Sequence, residues 1–238
     1  RQEVFDFVIS ELNEIDDIVP TSYTNQEDQG RITKGAVLAL KSRAFLNALG
    51  WHSDSNTLYT GAEAACQEII NSGVYSLANG IDGFREQFTP DSDFTSPETV
   101  LATIYELGIN VSRFALQVSP RDVYKGPNGS GNNQRRPGFR DPRLAVTAYL
   151  PLDEYLGTNG VDNDIFQPHP DLGDTRDRVQ GSNNNPTGYG FKKYTDYFMD
   201  NNIEGNADLK VIRYSEVLLM YAEALAGLGR DAEALTYL

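Results

Sequence analysis

Val211-Ile-Arg-Tyr-Ser-Glu-Val-Leu-Leu-Met-Tyr-Ala-Glu-Ala-Leu225 is the stretch whose reading decides the fold class. Tyr214, Leu218, Tyr221 or Ala222, and Leu225 recur every three or four residues, the period of an α-helix that buries one face. The spacing predicts a helix over about 208–226 with Asp208 as its cap. Leu228-Gly229 breaks it, and a further helix starts at Ala232.

The same layout occurs near the other end. Ala39–Gly50 closes on Leu46-x-x-Leu49-Gly50, as Leu218–Gly229 closes on Leu225-x-x-Leu228-Gly229, and Leu40 corresponds to Leu219. The two copies lie about 179 residues apart. Each is an Ala/Leu-rich helix, a Leu-Gly break and a second Ala-rich helix, the shape of a tetratricopeptide-type hairpin. Such hairpins bury their apolar faces only by stacking on neighbours.

Three helices are expected in the region of the first copy, its own included. Residues 1–19 carry Val4, Val8, Leu12, Ile15 and Val19 on one face, and Pro20 closes the run. Residues 34–49 have Thr33 as N-cap and Gly50 beyond the end. Ala36, Ala39, Ala44 and Ala48 let neighbours approach this helix closely, so it should be buried on more than one side. Thr60 and Glu63 fit a capping box, opening a helix to about Ser72 that turns Ala65, Cys66, Ile69 and Ile70 inward, with Gly73 after it.

The middle reads differently. Residues 74–95 look irregular, 99–105 read as a strand on their β-branched content, and 144–150 as a short strand. Residues 119–140 and 152–190 are loop-like, too long for ordinary connections, and long structured loops tend to carry function. The expected fold is mainly α: tetratricopeptide-like helical hairpins with long loops and a few short strands. A single domain over 1–238 is expected, with hairpins at about 1–73 and 208–238 and a loop-rich binding region at about 74–207.

Composition narrows the function. The net charge is −14 and the pI about 4.5, which argues against nucleic acid, where clustered Lys and Arg must meet phosphate. Cys66 is the one cysteine, so no internal disulfide forms, and it is expected to pack as a small hydrophobe. No run of about 18 apolar residues is present. The chain opens without Met inside one helical pattern and stops at Leu238 inside another, so both ends read as cut. Metalloprotease, redox, phosphate-loop and nucleophile-elbow motifs are absent, and His52 and His169 stand alone. Asp200-x-Asn202-x-Glu204-Gly205 has a faint calcium-loop pattern, but Val211 stands where a bidentate Glu is required. Neither cofactor nor metal is expected.

A binding site is the better reading. A non-catalytic site for a polar ligand with apolar faces needs exposed aromatics next to amide and guanidinium donors. Tyr124, Asn128, Gln134, Arg136 and Phe139 bring those types together, and Trp51 with His52 is a second candidate. Trp51 and Phe139 could equally anchor loops on the core. Arg135, Arg136, Arg140 and Arg143 form a basic cluster, for which pairing with acids such as Asp141 and Asp153 is the plainer reading. Arg43 and Glu216 lie inside apolar helical segments, where charge must be paired. Arg43, Arg213 and Glu216 are therefore expected to satisfy one another or nearby carbonyls as structural groups, and Glu223 to join them.

Five stretches together resemble the SusD/RagB family: Gly30 to Leu46, Ile70 to Leu77, Arg140 to Leu144, Thr187 to Tyr194, and Val211 to Leu225. Their order and spacing carry the resemblance across essentially the whole chain. It implies non-catalytic capture of oligosaccharide, or in some members peptide, on the outer face of a Gram-negative outer membrane. It implies a SusC-like TonB-dependent transporter as partner, and membrane attachment only through a lipid anchor absent from this chain. A helical-repeat scaffold for a protein or peptide is the alternative. A glycosidase is a further one, and it would need two facing carboxylates about 5–9.5 Å apart.

Overall fold

The computed structural model describes residues 1–89, 93, 95–105, 141–149, 154–156, 163–165, 190–194 and 207–238. Two compact units divide the chain: Arg1–Ala78 with Phe94–Thr103 and Lys210–Leu238, and Asn79–Asp93 with Ile104–Leu209. The mainly helical fold with few short strands is as the sequence predicts.

The first unit is a row of helices: α1 (Gln2–Ile15), α2 (Lys34–Ala48), α3 (Ser55–Asn71), α6 (Tyr214–Gly227) and α7 (Asp231–Ala234). Each packs on the next in that order, and α2 also reaches α6 and the strand β1 (Thr99–Thr103). β1 pairs with β6 (Leu209–Arg213). The core gathers Leu38 and Ala39 from α2, Ala65, Cys66 and Ile69 from α3, and Val217, Tyr221 and Leu225 from α6. Each of the buried Leu, Ile and Val side chains among these contributes roughly 1.5–3 kcal/mol. Five consecutive residues of α2, Gly35 to Ala39, are buried, so the helix is enclosed on several sides as its alanines imply.

Small residues set the spacing between elements. A Cβ built at Gly61 of α3 would lie 2.6 Å from Cζ of Phe45 on α2. Gly35 of α2 likewise receives the Tyr75 ring, and Gly227 of α6 receives Tyr59 of α3. The tyrosine hydroxyl over Gly35 also bonds Thr33 Oγ1 at 3.0 Å.

Local chemistry explains the ends of these elements, and several differ from the sequence reading. Thr33 caps α2 by accepting from Ala36 N–H, as expected. α3 begins earlier than Thr60, because Asp54 accepts from both Thr57 N–H (3.0 Å) and Thr57 Oγ1 (2.6 Å). Thr60 and Glu63 are interior to that helix. α6 begins at Tyr214, not Asp208: β-branched Val211 and Ile212 make the preceding residues a strand that β1 completes. Gly229, at φ 76°, provides the left-handed break after α6.

Ion pairs join the row. Arg43 Nε and Nη2 each donate to Glu216 at 2.8 Å, and Nη2 also donates to the Val211 carbonyl at 2.8 Å. Arg43 and Glu216 therefore satisfy each other as predicted. Arg213 does not join them: it donates to Glu98 at 3.1 Å, because Arg213 ends a strand and faces β1 rather than sharing a helix with Glu216. Glu98 also accepts from Ala78 N–H at 3.0 Å, and its side chain is 5% exposed. Glu223 is exposed on α6, away from the group expected to include it.

α1 is the exception in the row. It has no buried residue. Phe5, Ile9, Leu12 and Val19 are half-buried, whereas Val4, Val8 and Ile15, expected to turn inward, are exposed. Its ties to α2 are largely polar: Lys41 to Asp16 at 3.2 Å and Lys34 to Asp17 at 3.5 Å.

The second unit contains α4 (Gly80–Glu86), where the sequence reads as irregular. Asp82 in its first turn and Arg85 in its last suit the helix dipole. Residues expected to be strand over 144–150 form one helical turn, α5 (Leu144–Thr147), before β2 (Ala148–Tyr149). β2 pairs antiparallel with β5 (Gly190–Phe191), and β3 (Glu154–Leu156) with β4 (Asn163–Ile165).

Candidate functional site

Two aromatic groups stand out, one in each unit. In the first unit Trp51 follows α2. Its ring meets Phe5 edge-on at 5.9 Å and His52 at 5.9 Å, and Phe5 in turn meets Phe45 at 5.8 Å. His52 is fixed by accepting from Asp54 N–H at 3.0 Å. This arrangement anchors the start of α1 on the α2–α3 connection, while Trp51 stays half-exposed.

In the second unit Phe84 and Phe88 meet edge-on at 5.2 Å, and Phe88 meets Tyr194 at 5.2 Å. Lys193 places its ammonium 5.0 Å from the Phe84 centroid and 4.4 Å from that of Phe88. Lys192 lies 5.1 Å from the Tyr149 centroid. These are cation–π distances. Tyr194 has φ 65°, a left-handed backbone that a tyrosine adopts only when its surroundings impose it. Rings beside amine donors are the chemistry that binds a hydroxylated ring. Lys193-Tyr194 is visible in the sequence, but the partners Phe84 on α4 and Phe88 just beyond it, over a hundred residues earlier, are not.

Of the six candidate binding residues, only Trp51 is among the described residues. Tyr124, Asn128, Gln134, Arg136 and Phe139 lie outside them, as do Arg135 and Arg140. At the edge of that cluster Arg143 donates through Nε to both Asp141 oxygens, at 2.9 and 3.0 Å. The guanidinium holds the Asp141 carboxyl down to about 2. This arginine is paired within its own turn, the plainer of the two readings.

Catalytic chemistry has little footing among the described residues. No group of three His, Cys, Asp or Glu there could hold a metal. Asp93 accepts from Asp208 N–H at 3.0 Å, and Asp208 accepts from Tyr105 N–H at 2.8 Å, so both carboxylates hold backbone. Cys66 is buried with its sulfur 3.0 Å from Ser42 Oγ, and burial pushes its thiol up to about 11, the opposite of a nucleophile's environment. No described helix is long and apolar enough to cross a membrane.

No curated protein sequence matches the chain. Solved structures do. A SusD-like protein from Bacteroides fragilis is 21% identical over 99% of this chain, with a TM-score of 0.70. A SusD-like carbohydrate binding protein from the same species is 20% identical over 96%, with a TM-score of 0.75. Surface glycan-binding protein A from Bacteroides uniformis is 17% identical over 99%, with a TM-score of 0.67. The chain spans about half of each: 51%, 47% and 48% of their lengths. At these identities the likeness concerns the fold. The sequence pattern of the SusD family matches residues 112–238, just over half of the chain and including both the Arg143 turn and α6, and on that match the chain belongs to the SusD family.

Proposed function

We propose that the protein of which this chain is part captures oligosaccharide at the cell surface without cleaving it, and delivers it to a TonB-dependent outer-membrane transporter. Membership of the SusD family carries the reading. Two fold relatives described as carbohydrate binding and surface glycan-binding support the ligand class. The half-exposed Trp51 supports the reading, as do the half-buried Phe84, Lys193 and Tyr194, which the buried Phe88 backs. Tyr124, Asn128, Gln134, Arg136 and Phe139 are proposed ligand contacts on their residue types, and Trp51 with His52 is a separate candidate. Attachment to the outer membrane is through a lipid anchor.

Calorimetry against panels of oligosaccharides and peptides tests this. Saturable glycan binding with no new reducing ends after prolonged incubation is expected. Phe139→Ala or Tyr124→Ala should weaken binding about thirtyfold, the equivalent of roughly 2 kcal/mol at an aromatic contact. Peptide binding without glycan binding would replace the ligand class, and glycan turnover would end the non-catalytic reading.

A further inference from the structure

Asn79-Gly80 joins a held stretch of chain to a free one. Before it, Ser76 N–H donates to the Pro97 carbonyl at 3.1 Å, and Ala78 N–H to the buried Glu98 carboxylate at 3.0 Å. Gly80 opens α4 in the left-handed region, at φ 68°, and a Cβ built on it would meet nothing within 4 Å. Both residues of the pair are exposed. Among the described residues the Asn79 side chain has no hydrogen-bond partner, and Gly80, as the first residue of its helix, has an N–H that no carbonyl receives. The peptide between them is held by one long hydrogen bond, from Gly83 N–H to the Asn79 carbonyl at 3.3 Å.

An unbonded amide nitrogen with no Cβ beside it is free to attack the side-chain carbonyl of the asparagine before it. We infer that Asn79 is a site of spontaneous deamidation. The Gly80 nitrogen forms a bond to Asn79 Cγ and gives up its proton, the side-chain amide leaves as ammonia, and a five-membered succinimide remains. Water then adds to one of the two ring carbonyls and opens the ring, to aspartate or to isoaspartate. The approach requires rotation about Asn79 ψ from 130°, which breaks the Gly83 hydrogen bond at a helix end, where local opening is easiest. Asn71-Ser72 is also exposed but lacks this freedom: Asn71 ends α3, and the Glu68 and Ile69 carbonyls hold Ser72 N–H at 3.0 and 3.3 Å. Isoaspartate at position 79 lengthens the main chain by one carbon directly before the helix that carries Phe84, and so unseats the start of α4. The inference is independent of the ligand.

Peptide mapping by mass spectrometry tests it, on the 238-residue chain stored at mildly alkaline pH with and without urea. Comparing each site with itself, folded against unfolded, cancels the difference between Gly and Ser as following residues. Asn79 should convert at nearly the same rate in both states, whereas folding should slow Asn71 about tenfold or more. Isoaspartate should appear at position 79, because the succinimide is its source. The Asn-Gly pairs at 128–129 and 159–160 lie outside the described residues, and their peptides are read separately. Folding that slows Asn79 as strongly as Asn71 overturns the proposal, as does aspartate formed without isoaspartate. Trypsin should cut the separated isoaspartate form after Arg85, within α4, faster than it cuts the unconverted protein, and equal cutting overturns the effect on that helix.

Discussion

The interior of the helical row and its outer helix α1 are held by different physics. Around α2, α3 and α6 the contacts are apolar and closed: Leu58, Ile69, Val217 and Leu225 are all buried, and the buried charge of Glu98 is fully paired. α1 buries nothing completely and is tied by Lys41–Asp16 and Lys34–Asp17 together with the Phe5 ring contacts. Closed apolar seams give stability that salt does not reach, whereas partly exposed ion pairs are screened and contribute little. The row is therefore stable in its middle and loosely held at α1 within this chain.

The largest effect should come from Glu98→Ala. It removes the buried acceptor that Arg213 and the Ala78 N–H share, two hydrogen bonds to one charged group, and chemical denaturation should show a loss of about 3–5 kcal/mol. Leu225→Ala opens a cavity where α6 meets the core, and the same measurement should show about 2–5 kcal/mol. Glu216→Ala breaks a bidentate pair whose side chains are 34% and 37% exposed, so its cost should fall to about 1–2 kcal/mol. Lys41→Ala, on α1's own tie, removes a single 3.2 Å contact rather than a bidentate pair, and the same measurement should show less than about 1 kcal/mol. A Lys41 effect equal to that of Leu225 would erase the distinction between the two regions.

Cys66 offers a subtler reading of the same seam. Its thiol titrates near 9.0 when unperturbed and is pushed up to about 11 in the fold by burial. The unfolded chain thus loses its proton first. The associated stability is intact below about pH 9 and declines as the pH rises toward 11. Cys66→Ala should flatten that alkaline decline, which a series of thermal melts between these limits would detect.

The helical row was legible because burial repeats with the helix period in Ala39–Gly50 and Leu218–Gly229, and because Thr33 and Gly229 are local signals that nothing overrides. Errors arose where a distant partner decides. Asp208 has the composition of a helix cap, but pairing with β1 turns the next five residues into a strand. Arg213 lies three residues from Glu216, yet a strand end separates them and Glu98 is nearer. α4 is short and carries turn-forming residues, so periodicity had little to work on. At the candidate site, Trp51 could be named from residue type alone. The Phe84–Phe88–Lys193–Tyr194 group could not, because chain distance hides it and backbone sign at Tyr194 leaves no mark in the sequence.

The glycines that receive rings from neighbouring elements impose a rule on how this sequence can drift. Phe45 lies over Gly61, Tyr59 over Gly227 and Tyr75 over Gly35, each ring filling the volume that a methyl group would claim. Enlarging one member of a pair is tolerable only if its partner shrinks. Among homologues, Ala or Ser at position 61 should thus accompany a smaller residue at 45, with the same reciprocity at 227 and 59 and at 35 and 75. The two members of a pair would then travel together through descent, though 168 residues of chain separate Tyr59 from Gly227.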